Sequence, residues 1–137
     1  MAGIRLGMLF ASAEIIKILN RIKPPYNVNE LTQQRAIKGL QNYSEIKQQV
    51  IDIKSERDNL SKQLLQLNYV AKIFPSDANF LLIKVDDADQ RYMELIGKGI
   101  VVRNRSKQPL CENCLRITVG TASENQNLLK AFKELES

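Results

Sequence analysis

Between Tyr43 and Leu67 the apolar residues recur at steps of three and four, whereas from Tyr69 onward they recur at steps of two. This change of period divides the chain into a helical part and a strand-containing part, because the two spacings match the two backbone geometries. Tyr43, Ile46, Val50, Ile53, Leu60, Leu64 and Leu67 share one face of a helix of about seven turns, with Arg57 in one apolar place. A self-associating coiled coil fits the steps, but the flanks are mixed polar residues and an arginine sits in the seam. The pattern favours a helix that buries its seam on neighbouring elements, with coiled-coil assembly as the alternative.

Beyond the change of period, Val70–Phe74 reads as a short strand ended by Pro75, and Phe80–Val85 as a second strand. Asp87–Gly97 reads as a helix with Tyr92, Leu95 and Ile96 inward, and Asp86, Asp87 and Asp89 as its caps. Ile100–Arg105 is a third strand. In the fourth, Leu115, Ile117 and Val119 alternate with Cys114, Arg116 and Thr118. Gly120-Thr121 ends it, and Ser123 with Gln126 reads as the capping box of a final helix with Leu128, Leu129, Phe132 and Leu135 inward. The order strand, strand, helix, strand, strand, helix predicts an α+β layer with helices on one sheet face.

Upstream, Gly3 and Gly7 flank Arg5 and suggest close backbone approach, and Met8–Ala11 suggests a strand buried on both faces. Ser12 can cap a helix in which Ile15, Ile16, Leu19 and Ile22 share a face, stopped by Pro24-Pro25. Asn29 can cap the next helix, which runs to about Lys38.

Composition narrows the chemistry. The 137 residues are 44% hydrophobic and 26% charged, ordinary for a globular domain, and no apolar run reaches the ~20 residues of a membrane span. The chain therefore reads as cytoplasmic. A formal charge of +5 favours anionic ligands, but the cations and the eight aromatics are scattered, a weak nucleic-acid signature. Histidine is absent, which removes the usual base for a Ser or Cys nucleophile and leaves Cys111-Glu112-Asn113-Cys114 without partners for a zinc site. The two cysteines read as incidental reduced thiols rather than a redox pair, since they run into a strand and not a helix.

What stands out is arginine. Arg103 lies opposite Ile100 and Val102 on its strand, as Arg116 lies opposite Leu115 and Ile117 on its own. Two strands can thus present two guanidiniums to one region, and the guanidinium fork matches carboxylate and phosphate in bidentate geometry. By residue type alone, Arg116 could equally be a solvated side chain, and a basic sheet face that binds RNA is a further alternative. Neither arginine-bearing strand offers an aromatic for stacking bases.

The motifs Ala2-Gly3-Ile4-Arg5-Leu6-Gly7, Gly99-Ile100-Val101-Val102-Arg103 and Cys114-Leu115-Arg116-Ile117-Thr118-Val119-Gly120-Thr121, with Asn79 before a strand, resemble in sequence and order the fold-type-I aminotransferases that use pyridoxal phosphate, and within them the branch of histidine biosynthesis. The resemblance implies the C-terminal small domain of such an enzyme, a mainly antiparallel sheet with helices on one face in residues 69–137. It implies a helical linker in 26–68 and a remnant of the large cofactor-binding domain in 1–25. It implies that Arg5 holds the cofactor phosphate and that Arg116 grips the substrate's anionic group. Arg103 would hold the substrate phosphate or the distal carboxylate of glutamate, and Asn79 and Tyr26 match more loosely.

The expected partners are glutamate and a phosphorylated amino-alcohol substrate, in a parent homodimer, with no metal, nucleic acid or membrane. In the family the Schiff-base lysine lies in a Ser-Lys motif just before the Ala-Gly-Ile-Arg motif, hence upstream of Met1. No catalytic residue is therefore assigned within the chain. Alone it is expected to be inactive, as a C-terminal part produced separately or, alternatively, as a truncated homologue.

Overall fold

A computed structural model describes residues 2–136. Met1, with which the expected large-domain remnant begins, and Ser137, with which the small domain ends, lie outside the described residues. The chain forms two compact units, Met1–Gln48 and Gln49–Ser137.

In the first unit a 3-10 turn, Ala2–Ile4, precedes helices α1 (Ala13–Ile22) and α2 (Glu30–Gln41). The expected strand at Met8–Ala11 is not formed: the segment is irregular, pairs with no described strand, and leaves Phe10 91% exposed. A doubly buried strand needs a neighbour on each side, and the described sheet lies wholly in the second unit. Close backbone approach at Gly3 and Gly7 is likewise not met, since a Cβ added at either would touch nothing within 4 Å. Ser12 occupies the N-cap of α1 through its backbone, accepting from Ile16 N–H at 3.0 Å, and its side chain makes no capping bond. Asn29 does cap α2, its side chain accepting from Thr32 N–H at 2.9 Å.

Helix α3 (Tyr43–Leu64) is the long helix, and its seam is unevenly used. Tyr43 and Val50 are exposed, whereas Leu60 and Leu64 are fully buried in the core of the second unit. Arg57 stays in the seam by donating to the Ala78 carbonyl at 3.2 Å.

Strands β1 (Val70–Ile73), β2 (Phe80–Val85), β3 (Arg103–Asn104) and β4 (Cys114–Thr118) form an antiparallel sheet in the order β1-β2-β4-β3. The registers Ile83↔Leu115 and Leu81↔Ile117 place those four aliphatics on one face, where they share a core with Leu60, Leu64, Leu95, Leu128, Leu129 and Phe132. Helices α4 (Ala88–Gly97) and α5 (Ala122–Lys133) supply the last four of those apart from α3's two leucines. The third strand is shorter than Ile100–Arg105: only Arg103 and Asn104 join the ladder.

Three local expectations are corrected. The cap of α5 is Thr121, which accepts from Glu124 N–H while Glu124 reaches back to Thr121 N–H at 2.7 Å, and not Ser123 with Gln126. Both pairs fit the capping-box spacing; Gly120 selects the first, since a Cβ there would lie 2.8 Å from Glu124 Oε2 and 2.9 Å from its Cβ. Of the aspartates only Asp87 caps α4, accepting from Asp89 and Gln90 N–H, while Asp86 pairs with Arg91 and Asp89 accepts from Asn104. Ile96 is 38% exposed, on the solvent side of Leu95.

Two polar groups tie these elements together. Asn125, 4% exposed, donates to Glu56 of α3 at 2.8 Å and to the Gly120 carbonyl at 3.1 Å, and accepts from Gly120 N–H at 3.0 Å. Arg91 forks onto Asp86 at 3.0 and 2.7 Å, bonds Glu94 at 3.0 Å and lies 4.2 Å over the Tyr69 ring. Tyr69 donates to the Phe132 carbonyl at 2.7 Å, and burial pushes its phenol well above the ordinary range.

Asn125→Leu strands the Gly120 N–H and is expected to cost about 1–3 kcal/mol in urea unfolding although it adds apolar surface; an unchanged midpoint contradicts this. The hydrogen bonds from Arg91 hold the Asp86 carboxyl below its usual range. That contribution is complete above the unfolded aspartate value of about 3.9 and is lost as pH falls through the depressed folded value. Arg91→Met should therefore flatten the fall in stability below about pH 4, read from urea midpoints across an acid series.

Candidate anion-binding site

Within the second unit the helices pack on one face of the sheet, so every second residue of each strand is left on the other. On β4 these are Arg116 and Thr118, with Cys114 buried beside them, and on β2 they are Phe80, Leu82 and Lys84. The register then decides what meets. Arg103 of β3 pairs directly with Arg116, which pairs on its other side with Leu82. The two arginines that the sequence singles out are cross-strand partners on the open face.

Two like charges directly opposite each other are unfavourable in a sheet. No carboxylate offsets them: among the described residues, neither Arg103 nor Arg116 forms an ion pair. Arg57 and Arg91, by contrast, are both engaged with protein acceptors. Arg116 Nε is buried without a hydrogen-bond partner, and its guanidinium lies 5.1 Å from the centroid of the Phe80 ring. Arg103 is exposed beside a depression of about 560 Å³ that Arg105, Lys107, Tyr92 and Asn104 also line. A small anion with several oxygens can satisfy both guanidinium forks at once, which no single side chain here does.

Arg5 belongs to the first unit, where it is exposed and holds a left-handed backbone conformation with φ of 59°. Tyr26 is also left-handed, with φ of 58°, and is 98% exposed. Asn79 is exposed and holds the sheet through its carbonyl, which accepts from Val119 N–H at 2.9 Å. Both cysteines are free thiols, and burial pushes the Cys114 thiol up, away from the reactive thiolate. Among the described residues no group of three or more potential ligands could hold a metal, and no helix is long and apolar enough to cross a membrane. The sequence reading passed over Phe80 and Asn125. Alternation along β2 puts Phe80 on the open face, and Asn125 is the one polar residue in the inward stripe with Leu128, Leu129 and Phe132.

The chain belongs to the class I and II aminotransferases, a family that it matches over residues 1–132. It is similar to the histidinol-phosphate aminotransferase of Christiangramia forsetii, 66% identical over 136 residues, which are 99% of this chain and 39% of that protein. A second, from Parabacteroides distasonis, is 53% identical over 135 residues, 98% of this chain and 39% of that protein. The chain thus spans 39% of the length of these curated relatives. Among solved structures, the histidinol-phosphate aminotransferase from Clostridium acetobutylicum matches with a TM-score of 0.82 at 25% identity, covering 90% of this chain and 38% of that one. A putative histidinol-phosphate aminotransferase from Erwinia carotovora atroseptica shares the fold, with a TM-score of 0.86 at 22% identity over 98% of this chain and 38% of that one. The fold is that of part of a fold-type-I aminotransferase.

The arginine pair makes a stability prediction of its own. Arg103→Thr removes one of two opposed like charges and is expected to stabilise the chain by about 0.2–1 kcal/mol at low salt. The gain should shrink as salt screens the pair. Urea midpoints at low and at half-molar salt measure it; a loss of stability at low salt contradicts the repulsion.

Proposed function

We propose that the chain is the C-terminal part of an aminotransferase of histidine biosynthesis, which transfers an amino group between glutamate or 2-oxoglutarate and histidinol phosphate or imidazole-acetol phosphate. The observation that carries the reading is the cross-strand pair Arg103↔Arg116, without an ion pair among the described residues, in a chain 66% identical to a histidinol-phosphate aminotransferase. Residues 69–137 would be the small domain, 26–68 the helical linker, and 1–25 part of the large domain. The parent would be a homodimer and cytoplasmic.

The residues present fit a phosphorylated cofactor. Arg5 is exposed, and the backbone on either side of it is open, since a Cβ at Gly3 or Gly7 would meet nothing within 4 Å. Arg5 would hold the phosphate of pyridoxal phosphate. When bound, that cofactor supplies the electron sink that makes the proton beside the transferred amino group removable.

The work of this chain is binding and orientation. Arg116, with its Nε withdrawn from water, would take the substrate's anionic group in a bidentate grip: a carboxylate in glutamate, a phosphate in histidinol phosphate. Arg103, on the next strand, would close on the oxygens that Arg116 leaves. Both substrates carry an anionic group that a guanidinium fork matches, so one pair of arginines can serve the two half-reactions in turn. Binding energy spent there fixes the reacting carbon in place, which is how a group remote from the chemistry raises the rate.

The full-length protein is expected to transfer the amino group of histidinol phosphate to 2-oxoglutarate. Arg116→Ala should lower kcat/KM for both amino donors by about 10- to 150-fold, the worth of a charge-assisted bidentate contact. Arg5→Ala should instead weaken retention of pyridoxal phosphate, read by absorbance after gel filtration. Turnover of an aromatic amino acid with none of histidinol phosphate would move the protein to another branch of the family.

A further inference from the structure

A long arginine side chain opposite a like charge has every reason to wander, yet Arg116 is placed. Its neighbours explain why. In the sheet order β1-β2-β4-β3, strand β4 lies between β2 and β3, so Arg103 crowds Arg116 from one side and β2 receives it on the other. Directly across on β2 is Leu82, which offers no polar group. Phe80 faces Thr118 and is therefore diagonal to Arg116, within the reach of an aromatic ring. The guanidinium lies 5.1 Å from that ring's centroid, inside the range of a cation–π contact. The ring is the group on the β2 side found over the cation, and among the described residues Arg116 Nε has no hydrogen bond that could hold it instead.

Phe80 is itself held. Its backbone carbonyl accepts from Ser76 Oγ at 2.6 Å, and Ser76 Oγ accepts from Ala78 N–H at 3.2 Å, which folds the β1–β2 connection back onto the start of β2. Ala78 also carries the carbonyl that anchors Arg57 of α3. The ring thus stands on a fixed part of the sheet, beside a shallow groove of about 520 Å³ that it shares with Phe74, Pro75 and Leu82.

We propose that Phe80 is the positioning residue for the substrate-anchoring guanidinium: its ring holds Arg116 toward β2 against the repulsion of Arg103, leaving the fork pre-set for an anion. The inference rests on the reading of Arg116 as the substrate anchor. The ring acts through its negatively charged face and not only through its bulk, because the group that it opposes is a cation. Fixing one long side chain before binding lowers the ordering cost that each substrate would otherwise meet.

The test is made in the full-length enzyme by replacing Phe80 with mono-, di- and trifluorophenylalanine, which keep the ring's shape and progressively remove its negative face. KM for the amino donor should rise stepwise along the series, reaching about 2- to 30-fold, with kcat within about twofold of the parent. Phe80→Tyr should retain the parent KM, whereas Phe80→Leu should match the most fluorinated ring. A flat KM across the fluorinated series overturns the proposal, as does a fall in kcat at constant KM. The series is run on whichever amino donor the parent protein turns over. Failure of histidinol phosphate as a substrate thus counts against the functional reading, and a flat series counts against Phe80.

Discussion

Burial of one sheet face and not the other is the constraint on which the rest depends. With Leu81, Ile83, Leu115 and Ile117 committed to the core, a slip of one residue would turn all of them out to solvent. The register is therefore fixed by apolar burial, and the open face inherits it. Arg116 and Arg103 meet because Leu115 and Ile117 on one side of β4 leave Arg116 no other direction, and because β3 pairs where it does. Energy gained on the buried face holds two charges together on the other.

Much of this was legible in the sequence because the second unit obeys simple periods. Strand β2 forms over Phe80–Val85 as its residues imply, and β4 and the inward stripe of α5 follow the alternation and helical spacing of their aliphatics. The face of each arginine followed from the same alternation. That they are direct partners did not, because register depends on how the Lys98–Gly99 turn and the Cys111–Asn113 turn deliver β3 to β4. Gly99 with φ of 75° and Asn113 with φ of 57° make those turns, and neither angle can be read from residue type with certainty of placement.

The misses have local causes. Two capping boxes overlapped, and a steric contact at Gly120 chose between them. Apolar residues at Met8–Phe10 carry strand propensity, but propensity without a partner strand makes no ladder. Phe80 was overlooked because an aromatic at the start of a strand is ordinary; its significance appears only once Arg116 is found over its ring. Asn125 shows the opposite case, a polar residue in an apolar stripe whose partners, Glu56 and Gly120, come from distant and adjacent chain alike.

The family assignment rests on similarity over residues 1–132, and the meeting of Arg103 with Arg116 on strand register. What joins them is the claim that the pair is a single anion anchor. A crystal structure of the full-length protein with histidinol phosphate bound tests this most directly. The account predicts phosphate oxygens within hydrogen-bonding distance of both the Arg103 and Arg116 guanidiniums; a phosphate held elsewhere, with the two arginines in solvent, would contradict it.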